Sequence, residues 1–217
     1  MPEEINRVIA DHISEILFVP TKTALKNLQK EGIKNSKIKL VGDVMYDASI
    51  HFGKIAEDKS KILDKLKLGP KEFILATVHR QENTSDQERL KNIIDALAEA
   101  PKPVILSLHP RTKKKLNDYG IILNGQIKAI EPVGYSDMIM LEKNAYKIAT
   151  DSGGVQKEAF YNKVPCLTMR NETEWIELTE VGVNILVGTD KKRIVNELNI
   201  DTVMNFDYSF YGTGDTA

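Results

Sequence analysis

The chain has 217 residues, 41% hydrophobic, 28% charged and 6% aromatic, with 30 Lys plus Arg against 31 Asp plus Glu and a net charge of −1. That apolar content and balanced charge exclude a disordered chain, and the lack of any Gly-x-y period or low-complexity run excludes a fibrous one. No apolar stretch approaches the roughly 20 residues that cross a bilayer, and the charge balance offers no global attraction to nucleic acid or to an anionic membrane.

Pro2-Glu3-Glu4-Ile5-Asn6-Arg7 reads as a helix start, with Pro early and acids in the first turn. It lacks the apolar core of a signal peptide. Short apolar runs then predict strands at 15–19, 38–41, 73–77, 104–108, 127–130, 147–150, 165–168 and 184–187. Between them, helical patterns fall at 22–31, 45–59, 86–100, 111–119, 136–143, 155–161 and 191–199. In the 86–100 segment Leu90, Ile93, Ile94, Leu97 and Ala98 recur on one helical face. Alternation this regular argues an α/β fold, a parallel sheet covered by helices on both faces. The one cysteine, Cys166, lies in an apolar run and reads as a small core residue, which fits a reducing, cytoplasmic setting. The cluster Arg111-Thr112-Lys113-Lys114-Lys115 reads as a solvated first helical turn rather than a nucleic-acid patch.

Sheets of this kind bind ligands at the carboxyl ends of their strands, and three loops after strands carry chemistry. Thr77-Val78-His79-Arg80-Gln81-Glu82-Asn83 presents an imidazole and a guanidinium, either to an anion or as a solvated turn. Asp151-Ser152-Gly153-Gly154-Val155-Gln156-Lys157-Glu158 reads as a capped helix N-terminus with two glycines, suited to a phosphate, and Glu158 stands about one turn further in, where a carboxylate can accept two ribose hydroxyls. Met169-Arg170-Asn171-Glu172-Thr173-Glu174-Trp175 holds the only tryptophan, either closing over a sugar or phosphate or packing under a loop.

Together with Val41-Gly42-Asp43-Val44-Met45-Tyr46-Asp47-Ala48, His109-Pro110-Arg111 and Glu131-Pro132-Val133-Gly134-Tyr135, these stretches resemble the non-hydrolysing UDP-N-acetylglucosamine 2-epimerase family along almost the whole chain. The resemblance implies two Rossmann-like domains in a glycosyltransferase-B-like architecture. It implies inversion at C2 of UDP-GlcNAc by elimination and re-addition of UDP, without metal or nicotinamide. It assigns Glu3 and His79 as catalytic residues. It assigns Arg80, Ser152, Gly153, Gly154, Glu158 and Arg170 to UDP binding, and Arg7 and His109 to a second, activating nucleotide-sugar site. Lys157 and the Trp175-Ile176 pair depart from the commoner family pattern and leave a UDP-diacetamido-uronic acid sugar as an alternative substrate. The family's Gly-Thr-Arg-Pro-Glu loop and two further carboxylates have no counterpart here.

The expectation is therefore a remnant of an N-terminal domain over 1–43 and a C-terminal UDP-binding domain over 44–217. On that expectation the chain binds UDP or UDP-GlcNAc, is inactive alone, and pairs with a missing domain, a partner chain or a second copy of itself. A glycosyltransferase of the same architecture and a non-catalytic nucleotide-sugar-binding module are the rival readings.

Overall fold

The computed structural model describes residues 2–201 and 204–216, with side chains from Glu4 onward. The chain divides into two compact units, residues 1–51 with 207–217, and residues 52–206. This division is drawn differently from the expected 1–43 and 44–217.

The first unit runs helix α1 (Pro2–Ile13), strand β1 (Leu17–Val19), helix α2 (Lys22–Lys30), a 3-10 turn at Asn35–Lys37 and strand β2 (Ile38–Leu40). Thr21 caps α2 by accepting the Ala24 N–H at 3.1 Å. Strands β1 and β2 pair in parallel, Leu17 beside Ile38 and Val19 beside Leu40. Val19, Leu28, Ile33 and Ile38 form a small core of their own. The C-terminal segment joins this unit at Gly42. A Cβ there would meet Thr216 Oγ1 at 2.7 Å and the Tyr211 carbonyl at 3.0 Å, and its φ of +100° suits glycine. The Asp43 N–H donates to that same Tyr211 carbonyl at 2.9 Å.

Helix α3 (Val44–Lys59) and short helix α4 (Ile62–Leu66) precede the main sheet. Its strands are β3 (Ile74–Thr77), β4 (Val104–Ser107), β5 (Ile127–Ile130), β6 (Lys147–Thr150), β7 (Cys166–Thr168) and β8 (Asn184–Leu186). They lie in the order β5-β4-β3-β6-β7-β8, every pair parallel. Counted from β3, this is the 3-2-1-4-5-6 order of a doubly wound sheet. The intervening helices are α5 (Gln81–Thr84), α6 (Gln87–Ala98), α7 (Pro110–Asp118), α8 (Tyr135–Asn144), α9 (Gly153–Tyr161), α10 (Ile176–Glu180) and α11 (Lys191–Asn199).

Period-two alternation along β3 sends Ile74 and Ala76 to one face and Phe73 and Leu75 to the other. The first face packs on Leu90, Ile93, Ile94 and Leu97 of α6 and on Ile194 and Leu198 of α11. The second packs on Ile62, Leu141, Val155 and Ala159. The expected elements are all present, with ends shifted by at most two residues. Three short helices, α4, α5 and α10, lie outside the expected patterns because four or five residues are too few to display an apolar period. Cys166 is fully enclosed, and burial pushes its thiol up to about 12.

Candidate functional site

In a sheet of this order the crevice lies where the winding reverses, between β3 and β6 at their carboxyl ends. Thr77 and Thr150 sit side by side there, their hydroxyl oxygens 2.5 Å apart. The residue directly after β6 is Asp151, whose carboxylate is fully enclosed. It accepts the His79 N–H at 3.0 and 3.1 Å, the Arg80 N–H at 3.0 Å and the Asn83 amide at 3.1 Å. The Asn83 amide nitrogen also donates to the Met169 carbonyl at 2.9 Å. One carboxylate therefore ties the loop after β3 to the loop after β6, and Asn83 extends the tie to the loop after β7. The His79 ring, with Nδ1 at 3.4 Å from Asp151 and its side chain 42% exposed, faces the His109 ring at 6.2 Å. His109 itself caps α7, its Nδ1 accepting the Arg111 N–H at 3.1 Å.

Ser152 is the N-cap of α9, and its hydroxyl takes the Val155 N–H at 3.4 Å. The N–H groups of Gly153 and Gly154 lie in the first turn, outside the helical ladder, and point with the helix dipole toward the crevice. Gly153 is ringed by Trp175 Nε1, Glu174 and Arg80, all within 3.8 Å of where a Cβ would stand. The Trp175 indole donates to the Gly153 carbonyl at 2.8 Å, and the Lys157 ammonium lies 4.3 Å from the centre of its ring. The loop after β7 is thus fastened to the start of α9.

Arg170, at the end of β7, is buried and grips Glu174 through both terminal nitrogens, at 2.8 and 3.1 Å. Arg80 reaches the same carboxylate at 3.2 Å. Burial opposes the charge on Glu174, but the Arg170 hydrogen bond prevails and holds its carboxyl down at about 2. Two guanidinium groups thus converge beside a helix N-terminus, an arrangement that attracts phosphate oxygens.

Glu158, five residues into α9, is 8% exposed. Across from it on α8 stands Tyr135, whose hydroxyl is pushed up by burial first and by the neighbouring Glu158 charge second. Farther along α8 is the fully enclosed Glu142.

Of the ten residues singled out from the sequence, seven gather at this end of the 52–206 unit: His79, Arg80, Ser152, Gly153, Gly154, Arg170 and His109. Glu158 stands behind them on α9. Glu3 and Arg7 belong to the other unit. The Glu3 side chain lies outside the described residues, and Arg7 is paired with Glu4, Asp11 and Glu31, each at 2.7 Å. Asp151, Asn83 and Glu174 stand in the quoted motifs, but nothing local marks them as the fasteners of the site. An Asp placed directly between a buried strand and Ser-Gly-Gly is the one available signal. Among the described residues no group of three or more His, Cys, Asp or Glu is arranged to hold a metal, and no helix is long and apolar enough to cross a membrane.

The model of the UDP-N-acetylglucosamine 2-epimerase family matches residues 1–217. A UDP-N-acetylglucosamine 2-epimerase homolog of Methanococcus maripaludis is 52% identical over 223 residues, covering all of this chain and 62% of that protein. A UDP-2,3-diacetamido-2,3-dideoxy-D-glucuronate 2-epimerase of Pseudomonas aeruginosa is 43% identical, covering all of this chain and 61% of that protein. The crystal structure of Methanocaldococcus jannaschii UDP-GlcNAc 2-epimerase, in complex with UDP-GlcNAc and UDP, superposes with a TM-score of 0.88 at 45% identity, over all of this chain and 62% of that one. The chain spans about three fifths of the length of these relatives. Matched from its first residue to its last, the chain belongs to the UDP-N-acetylglucosamine 2-epimerase family.

Proposed function

We propose that the 52–206 unit binds the UDP part of a UDP-sugar and serves a 2-epimerase reaction. The observation that carries this reading is the Ser152-Gly153-Gly154 helix start, set at the reversal of strand order beside Arg80 and Arg170. The diphosphate takes the N–H groups of the first turn of α9 and the guanidinium groups. Glu158 accepts the ribose hydroxyls. His79, its backbone anchored by Asp151, offers its imidazole to the diphosphate as UDP departs.

The substrate is UDP-GlcNAc. A base takes the proton from C2, the C1–O bond breaks, and UDP leaves with the bonding pair to give a 2-acetamidoglucal. UDP then adds back, a proton returns to C2 on the other face, and UDP-ManNAc results. Glu3 is the candidate carboxylate for one of these proton transfers. A second reading of the sugar, a UDP-diacetamido-uronic acid, is favoured by the Trp175 variant of the third loop and by the Pseudomonas relative that carries that substrate in its name.

The 217 residues by themselves bind UDP without turning over UDP-GlcNAc, and a further polypeptide segment completes the catalytic cleft. Calorimetry with UDP, paired with a product assay on UDP-GlcNAc, tests both halves. Binding with no UDP-ManNAc is the expected result. No heat and no thermal shift with UDP overturns the binding reading, and UDP-ManNAc formed by this chain alone overturns the need for a companion segment.

A further inference from the structure

The contact between α8 and α9 holds a group for which the reaction above has no use. Glu142 is fully enclosed, and neither of its carboxyl oxygens has a hydrogen-bond donor among the described residues. What faces it is a second carboxyl, that of Glu158 on α9. Two acceptors bond to each other only if one carries a proton, and a buried pair of ionised carboxylates is strongly repelled.

Among the described residues no cation bonds the Glu142 carboxyl. On α8, Tyr135 turns a neutral hydroxyl to Glu158, and Lys143 pairs outward with Glu57. On α9, Lys157 lies over the Trp175 ring. On β7, the enclosed Cys166 thiol is held neutral by burial. From α4, Asp64 and Lys65 are exposed to solvent. Beyond the end of α8, Lys71 donates to the carbonyls of Lys143 and Ala145. Burial first, and the neighbouring Glu158 charge second, hold the Glu142 carboxyl well above the usual carboxylate range.

We infer that Glu142 is a positioning residue for the ribose: as a neutral acid it donates a hydrogen bond to Glu158 and, with the Tyr135 hydroxyl, fixes that carboxylate so that its outward lone pairs accept two hydroxyls of the nucleoside. A carboxylate offers about four acceptor sites. Two taken from behind leave the pair in front aimed rather than rotating. This inference rests on the reading that Glu158 holds the ribose.

Calorimetry of wild type, Glu142→Gln and Glu142→Leu with UDP and with 2′,3′-dideoxy-UDP tests it, run from about pH 6 to about pH 9. Glu142→Gln keeps a neutral donor of the same shape, so its UDP affinity stays within about twofold of wild type. Glu142→Leu keeps the bulk without the donor and loses about tenfold on UDP, with no loss on the dideoxy ligand. As rising pH ionises the pair, wild-type affinity for UDP falls relative to that of Glu142→Gln, the ligand's own phosphate ionisation being common to both.

Equal binding of UDP and dideoxy-UDP by wild type, or no binding of either, overturns the Glu158 reading itself. A wild type that discriminates the two ligands, alongside a Leu variant that discriminates them equally well, overturns the role of Glu142 alone. A Leu variant weakened equally on both ligands also overturns it, because that is the mark of a packing defect. Should the Leu variant not fold, the pH profiles decide: a Gln variant that keeps the wild-type pH dependence overturns the inference.

Discussion

Asp151 anchors His79 through the backbone rather than through the ring. Its carboxylate takes the His79 N–H at 3.0 and 3.1 Å, while the nearer ring nitrogen stays at 3.4 Å. The two residues are 72 positions apart in the chain and meet because β3 and β6 are sheet neighbours. The imidazole thus projects, 42% exposed, from a fixed backbone.

Replacing that anchor should be costly. In Asp151→Asn, the amide nitrogen meets the His79 N–H in one orientation, and the Arg80 N–H and Asn83 amide in the other, donor against donor in a fully enclosed position. A buried polar group left unpaired costs about 1–3 kcal/mol. The expected result is an unfolding free energy lower by that amount, read as a lower urea midpoint, together with weakened UDP binding. An unchanged midpoint refutes the anchoring role.

Gly153 separates folding from binding. A Cβ at this position stands 3.6 Å or more from its neighbours, which is ordinary contact distance. Gly153→Ala should therefore leave the melting temperature unchanged or slightly raised, since Ala suits a helix better than Gly. The same methyl stands where a phosphate would approach the first turn of α9, so UDP affinity should drop by about tenfold, roughly 1.4 kcal/mol. Full-strength UDP binding by the variant would remove the diphosphate from this helix terminus.

Glu174 makes stability depend on acid. Its folded-state carboxyl is held at about 2, below the ordinary 4.5. A depressed carboxyl contributes stability above its unfolded value and loses it as pH falls through the folded one. The loss belongs to the window from about 4.5 down to about 2. The side chain is half exposed, so solvent screening keeps the contribution below about 1 kcal/mol. Urea unfolding of wild type and Glu174→Gln at several pH values checks this. The gap between the two curves should be largest near neutrality and narrow toward pH 3, and a gap that widens in acid contradicts the pairing with Arg170.

The first unit carries a two-stranded parallel sheet with Phe18 on it 70% exposed and Leu40 also exposed. Unpaired strand edges bearing apolar side chains favour association. Light scattering should report a mass that rises with concentration, and Phe18→Lys should bring it back toward the monomer. A concentration-independent monomer for the unsubstituted chain counts against the prediction.

Much of the architecture was legible along the chain because it rests on local physics. Short apolar runs mark buried strands, and the face formed by Leu90, Ile93, Ile94 and Leu97 marks a helix laid on a sheet. The His109-Pro110 helix start and the Ser152 cap are likewise local, since a capping side chain bonds an N–H only two or three residues away. The short helices α4, α5 and α10 escaped this reading because they are held by tertiary contacts rather than by a period of their own.

Strand order lies beyond such reasoning. That β6 returns beside β3 is decided by how both faces of the sheet are covered, and it alone brings Asp151 under His79 and Arg80. The approach of the C-terminal segment to Gly42 and the meeting of Glu142 with Glu158 are likewise long-range. The sequence by itself determined the alternation of strands and helices and the residue types set at the strand ends. The tertiary structure decided which of those ends are neighbours and which carboxyls are enclosed together, because both depend on packing between segments far apart in the chain.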